Sequence, residues 1–231
     1  CENLAVEVAA KESSGEIILV GAHYDSVLGS PGANDNASGV AAMLEISAAL
    51  SAQQFPRTLR FVAFTNEEPP LFESDKRGSL VYARECARRK EKIAAMLCLE
   101  TIGYYTDRPG SQQYPPLFDL FYPEQGNFIA LVGDLHSSQL VNQIKKIFQE
   151  SGNFPIESVC APRFVPGVDW SDHASFWEQG YPAVMLTDTA PYRYPHYHSS
   201  TDTPDKLNLP AYTEVVEILT RVVAHLCSEC G

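Results

Sequence analysis

The chain has 231 residues, 45% of them hydrophobic and 20% charged, with a formal net charge of -12. That size suits one α/β domain whose core needs no covalent staples, and the composition excludes a disordered chain. The negative charge argues against a nucleic-acid surface, and no apolar run approaches the ~18–20 residues of a membrane span.

In chain order, Leu4–Val8 alternates apolar and polar residues and residues 16–21 form a short apolar run, so both read as strands. Residues 38–50 are Ala-rich, with Val40, Leu44, Ser47 and Leu50 at helical spacing. Thr58–Phe64 is a further strand, 78–90 a helix, and 93–99 the strand after it. Residues 128–132 read as a strand, and Leu140, Ile144, Ile147 and Phe148 mark a helix face. A strand at 182–186 and a helix striped by Val215, Val216, Leu219, Val222, Val223 and Leu226 complete the pattern. Strands alternating with helices imply a three-layer α/β/α fold around a mixed, mostly parallel twisted sheet. Residues 106–126, rich in Pro, Tyr, Gly and Gln, read as a long surface excursion near the site.

The first residue is Cys1, and no signal peptide is visible; the start reads as processed or trimmed, which leaves export open. Cys227 and Cys230 form a lone C-x-x-C that reads as incidental thiols on a frayed tail. No motif assigns an oligomeric state or a compartment.

In such sheets ligands bind beyond the carboxyl ends of the strands, so metal-competent residues are expected there. Five segments meet that expectation. His23 and Asp25 lie two apart after the 16–21 strand, and read either as a ligand with its orienting carboxylate or as a capped strand end. Asp35, between Asn34 and Asn36 in a turn-rich loop, reads as a helix cap or as a carboxylate aimed into a cleft. Glu67 and Glu68 follow the Thr58–Phe64 strand, where adjacent carboxylates repel unless a cation sits beside them. Glu100 ends an apolar strand, an unusual place for an unpaired carboxylate. The stretch Pro195-His-Tyr-His198 with Asp202 offers a ligand, a donor and an orienting acceptor. Together two His and three acids suit the N and O coordination of zinc, with one Glu left for acid–base work. A shared Asp would hold two cations ~3.5–4 Å apart.

These stretches resemble the M28 family of zinc peptidases. Gly21-Ala-His-Tyr-Asp-Ser26, Gly32-Ala-Asn-Asp-Asn-Ala-Ser-Gly39, Phe61-Val-Ala-Phe-Thr-Asn-Glu-Glu68, Ser171-Asp-His-Ala-Ser175 and His198-Ser-Ser-Thr-Asp-Thr203 occur in family order. The family usually has further structure ahead of the first motif, which supports a trimmed N-terminus and a single catalytic domain over 1–231. The resemblance implies an aminopeptidase acting on peptides or small aminoacyl substrates with two zinc ions. It implies that His23, Asp35, Glu68, Glu100 and His198 ligate metal, with Asp35 bridging across a cis Asp35–Asn36 bond. Asp25 would orient His23, Glu67 would be the general base, and Tyr197 would steady the oxyanion; Asp172 and His173 would sit near the substrate pocket. Glu100 stands where the family commonly has Asp, the same ligating group on a longer arm, so the second metal rests on it.

The same resemblance admits a single-zinc glutaminyl cyclase, a non-catalytic receptor-like module, and a carboxypeptidase-type member using Arg163 or Arg193 for the substrate carboxylate. Tyr104, Tyr105, Phe164, Trp170 and Trp177 are candidates for an apolar specificity pocket or for core.

Overall fold

Seven strands, β1 (Leu4–Val8), β2 (Glu16–His23), β3 (Thr58–Phe64), β4 (Lys92–Glu100), β5 (Ile129–Gly133), β6 (Ile156–Cys160) and β7 (Ala183–Thr187), pair in the order β1-β3-β2-β4-β7-β5-β6. They come from a computed structural model that describes residues 1–11 and 15–229. Neighbours β3, β2, β4 and β7 run parallel; β1 pairs antiparallel with β3, and the parallel pair β5–β6 joins β7 antiparallel. The sheet is therefore mixed and mostly parallel, as the alternation of elements predicts.

Period-two side-chain alternation divides the core into two halves. Ile18, Val20, Leu97 and Leu99 face one apolar cluster, while Leu19, Met96 and Cys98 face the other. Helices α1 (Ala37–Leu50), α3 (Ser138–Ser151) and α5 (Leu209–Ser228) cover the first face through residues such as Ile46, Ile144 and Leu219. Helices α2 (Gly78–Arg88) and α4 (His173–Trp177) cover the second through Ala83 and Phe176. Because both faces are covered, the central strands are apolar nearly throughout, and β7 is buried at every residue.

Two elements escape the sequence pattern. β6 (Ile156–Cys160) is short and interrupted by Glu157 and Ser158, and the five residues of α4 are too few to show a helical period. The expected frayed tail is corrected as well: Cys227 is fully buried at the end of α5, and its carbonyl accepts from the Arg57 amide. Cys230 lies outside the described residues. Among the described residues no helix is long and apolar enough to cross a membrane.

The parallel core brings the carboxyl ends of β2, β3, β4 and β7 to one edge. Register pairs His23 with Phe64 and Gly21 with Cys98, so His23 stands beside Glu100 two residues further on. Above this edge α1 approaches β4 closely at Gly39. A Cβ there would lie 2.5 Å from both the Leu99 carbonyl and the Asn36 Oδ1 that caps the helix. Gly39→Ala is expected to destabilise the protein by ~1–3 kcal/mol, the usual cost of overpacking a fixed contact. A thermal melt checks this, and an unchanged midpoint would show that the helix end can yield.

Candidate metal centre

His23 closes β2 with its ring buried. Its Nδ1 lies 3.1 Å from the backbone carbonyl of Asp25, a contact that leaves Nε2 directed into the cleft. The Asp25 carboxylate is further off, 3.8 Å from Nδ1, because it accepts the amides of Glu67 and Glu68 at 3.3 and 3.1 Å. Asp25 thus positions His23 through its backbone and the two glutamates through its side chain, a division of roles that the spacing alone does not reveal. Asn66, with φ of 59°, makes the left-handed step that turns the chain from β3 into this loop.

The Asp35 loop is held on three sides. Asp202, wholly buried, accepts the Asn34 and Asp35 amides on its two oxygens at 2.9 and 3.2 Å and also receives the Tyr194 hydroxyl. The Asn34 side chain donates to Asp188 at 2.8 Å and accepts from the Gly103 amide at 2.9 Å. The Asn36 side chain donates to the Leu99 carbonyl and accepts from the amides of Gly39 and Thr101. The Asp35–Asn36 peptide is cis. Every neighbour of Asp35 is tied to the sheet, and its own carboxylate stands between two imidazoles.

Asp35 Oδ1 is 3.3 Å from His23 Nε2, and Oδ2 is 3.1 Å from His198 Nε2. Glu100 Oε2 lies 3.3 Å from His23 Nε2, and Glu68 Oε2 lies 3.2 Å from His198 Nε2. Two groups result, His23–Asp35–Glu100 and Asp35–Glu68–His198, each with donor atoms within 4.8 Å of one another and with Asp35 common to both. Despite these short separations, buried His23 Nε2 and Asp35 Oδ2 have no hydrogen-bond partner. The atoms converge without being aligned on each other, which is how ligands of a common ion point. Imidazole nitrogens with carboxylate oxygens form a donor set that zinc accepts. The residues fit a metal.

Electrostatics agrees. Asp35, Glu67, Glu68 and Glu100 are all buried, and among the described residues none ion-pairs with Lys or Arg. Burial pushes Glu67 well up, and it carries Glu100 to about 7. Burial would raise Asp35 too, but the His198 and His23 imidazoles outweigh it and hold Asp35 at about 2. His198 rises to about 10 through Asp35 and then Glu68. Glu67 Oε2, 3.8 Å from His23 Nε2, belongs to neither group and stands beside them.

Tyr197 stacks on the His198 ring at 3.8 Å, and burial together with the surrounding carboxylates raises its phenol well above the ordinary value. With Glu100 it borders an apolar cavity of about 110 Å³, whose walls include Phe118, Tyr122, Val132, Trp170, Met185 and Tyr192. Of the five aromatic candidates only Trp170 lines this space. Tyr105 and Trp177 are core, Tyr104 packs at a tilt against the Tyr194 ring, and Phe164 is exposed to solvent. His173 is likewise not at the pocket surface: its Nε2 meets the Val168 carbonyl one layer behind the wall, and Asp172 is fully buried. Arg193 is buried with Nε on Gln112, Nη1 on backbone carbonyls and Nη2 unpartnered, Arg163 lies over the Trp177 ring, and neither lines the cavity beside the metal groups.

Two supporting residues have weak or no signal in sequence, and a third, the expected orienting acceptor Asp202, has a different partner. Ser171 donates to Glu100 Oε2 at 2.6 Å, and only its place in the Ser171–Ser175 stretch hints at a role. Asp188 directly follows β7 and would have been found by looking for acids after every strand. Asp202 orients the Asp35 loop rather than a histidine.

The family model described as Peptidase family M28 matches residues 3–223. The Escherichia coli K12 protein YfbL is 44% identical over 215 residues, 89% of this chain and 65% of YfbL. Leucine aminopeptidase 1 of Fusarium vanettenii is 28% identical over 204 residues, 82% of this chain and 46% of that protein. BSAP, a zinc aminopeptidase from Bacillus subtilis, superposes with a TM-score of 0.75 at 22% identity, over 99% of this chain and 50% of that one. The glutaminyl cyclase of Porphyromonas gingivalis gives 0.69 at 17% identity, over 97% and 76%. The chain thus spans about half to two thirds of the curated relatives it matches.

In chelator-treated protein the stabilisation from His198 is fully present below its ordinary value of 6.5 and is lost as pH rises through about 10. The melting midpoint of chelated protein is therefore expected to fall between pH 7 and pH 10. Zinc added at pH 7 should displace protons, visible as calorimetric heats that depend on the buffer's ionisation enthalpy. Heats independent of buffer would contradict this electrostatic picture.

Proposed function

Because the chain belongs to peptidase family M28, we propose that it is an aminopeptidase that removes N-terminal residues from peptides, with 1–231 as its catalytic unit. The observation that carries the reading is the pair of donor groups sharing Asp35, with Glu67 alongside and an apolar cavity opening next to them. His23, Glu100 and Asp35 would hold one zinc, and His198, Glu68 and Asp35 a second. The Ser171 hydroxyl on Glu100 supports that residue as a ligand despite its longer arm.

Zinc at such a site acidifies water and polarises a carbonyl. Glu67, raised by burial, is suited to take the proton of the attacking water and return it to the leaving amine. Tyr197, an O–H donor held protonated, would hydrogen-bond the developing oxyanion. The substrate's first side chain would enter the apolar cavity, and its α-ammonium would rest against the carboxylates at the inner end, where Glu100 is part of the lining. A relative named as a leucine aminopeptidase supports an apolar preference.

The glutaminyl cyclase reading needs one metal, whereas the second donor group here is complete, which favours hydrolysis. A carboxypeptidase would need a cation for the substrate carboxylate, and Arg193 is buried away from the cavity lining with its Nε and Nη1 held by Gln112 and Phe128. Metal-competent side chains at all five positions disfavour a non-catalytic module.

Aminoacyl, carboxyl-terminal and glutaminyl chromogenic substrates, assayed side by side with and without chelator, test the assignment. Chelator-sensitive release from the aminoacyl substrate alone is expected; turnover confined to another class would overturn the reading. Glu67→Gln should keep its metal content while kcat falls ~10²–10⁴-fold. Tyr197→Phe should lower kcat by ~10²-fold with little change in KM, and a pure KM effect would remove Tyr197 from the oxyanion role.

A further inference from the structure

Arg193 is buried with no direct ion pair among the described residues; its Nη2 lacks a hydrogen-bond partner and buried Asp188 offsets its charge only at a distance, an expensive state for a guanidinium. What it does instead is grip the neck of the 106–126 excursion. Its Nε donates to Gln112 Oε1 at 2.7 Å and its Nη1 to the Phe128 carbonyl at 2.7 Å, while the guanidinium lies 4.4 Å over the Phe128 ring. Gly126, on the returning limb, backs directly onto it: a Cβ there would be 2.7 Å from Arg193 Cδ.

Gln112 passes this grip on. Its amide donates to the Gln113 carbonyl at 2.8 Å and to Thr189 Oγ1 at 2.9 Å, and its backbone N–H donates to the Glu124 carbonyl at 3.1 Å. The Gln113 amide donates to the Tyr192 carbonyl at 2.7 Å. Beyond this neck the excursion becomes one wall of the cavity. Tyr114 and Phe118 both stack on Tyr122, and the Tyr122 hydroxyl donates to the Ser158 carbonyl of β6. Arg193 itself does not line the cavity; it acts on the wall only through Gln112 and the chain at 126.

We propose that Arg193 is a positioning residue that, through Gln112, sets the distance of the 113–122 wall from the opposite wall at Trp170 and Tyr192, and so selects large apolar side chains at the substrate's first position. The inference rests on the aminopeptidase reading for what fills the cavity. The fork geometry matters: lysine supplies charge but cannot donate to Gln112 and Phe128 from a fixed plane.

The test compares wild type, Gln112→Ala, Arg193→Lys and Arg193→Met on phenylalanyl and alanyl anilides. The ratio of kcat/KM for the phenylalanyl over the alanyl substrate should fall about tenfold in Gln112→Ala and Arg193→Met, carried by KM, with Arg193→Lys between them and wild type. An activity-independent arm titrates phenylalanine amide and alanine amide while following tryptophan fluorescence, Trp170 being in the wall. The phenylalanine amide Kd should weaken about tenfold relative to that of alanine amide. Hydrogen exchange of the 111–126 amides should quicken in the variants. If Arg193→Met does not fold, Gln112→Ala, checked by thermal melt, still decides. Equal losses for both side chains, or unchanged selectivity and exchange, would overturn the proposal. A wild type that hydrolyses no aminoacyl substrate would instead defeat the aminopeptidase reading, and the amide titration would then decide the role of Arg193.

Discussion

The site depends on a buried carboxylate, Asp202, whose partners are two backbone amides and a tyrosine hydroxyl. Asp202 takes two successive backbone amides on its two oxygens, and so fixes the chain direction at Asn34 and Asp35. Without that constraint the Asp35 carboxylate would have no reason to face the cleft rather than cap α1, the commoner task of an Asp in its place. The asparagines on either side complete the lock by reaching Asp188, Gly103, Leu99 and Thr101. The loop between β2 and α1 is thereby sewn to the ends of β4 and β7, and its geometry follows the sheet.

The sheet in turn supplies convergence. Parallel strands in register deliver His23 and Glu100 side by side, and the Asp25 carboxylate draws the loop after β3 into the same plane. The result concentrates four buried acids around two imidazoles. Such a cluster is unfavourable on its own, as the upward shifts of Glu67 and Glu100 express. The fold tolerates it because the Val27 amide on Glu68, Ser171 on Glu100 and the histidines beside Asp35 distribute the charge.

Much of this was legible in the sequence. Strand-end acids after apolar runs were visible one by one, and their family order made His23, Asp35, Glu67, Glu68, Glu100 and His198 readable as one constellation. The alternation of elements predicted the layered sheet. Less legible was anything decided by partners far apart in the chain. That Asp25 meets His23 with its backbone and Glu68 with its side chain, or that Asp202 serves the Asp35 loop, depends on contacts across up to 168 residues. The aromatic candidates stayed open between pocket and core for a related reason: Tyr105, Trp170 and Trp177 look alike in composition, and only packing separates the core pair from Trp170 in the cavity wall. β6 and α4 were too short or too mixed to show a period.

The antiparallel junction between β7 and β5 has a consequence for how such a protein can diverge. On one side lie β2, β3 and β4, whose ends carry the donor atoms; on the other lie β5 and β6, which with the 106–126 excursion form much of the cavity. The two regions meet at β7 and its following turn. Replacement of residues on the β5–β6 side leaves the donor strands and their register untouched. The architecture thus keeps the strands that carry the donor atoms apart from most of the strands that wall the cavity, so side chains in the wall can differ without altering the donor strands' pairing.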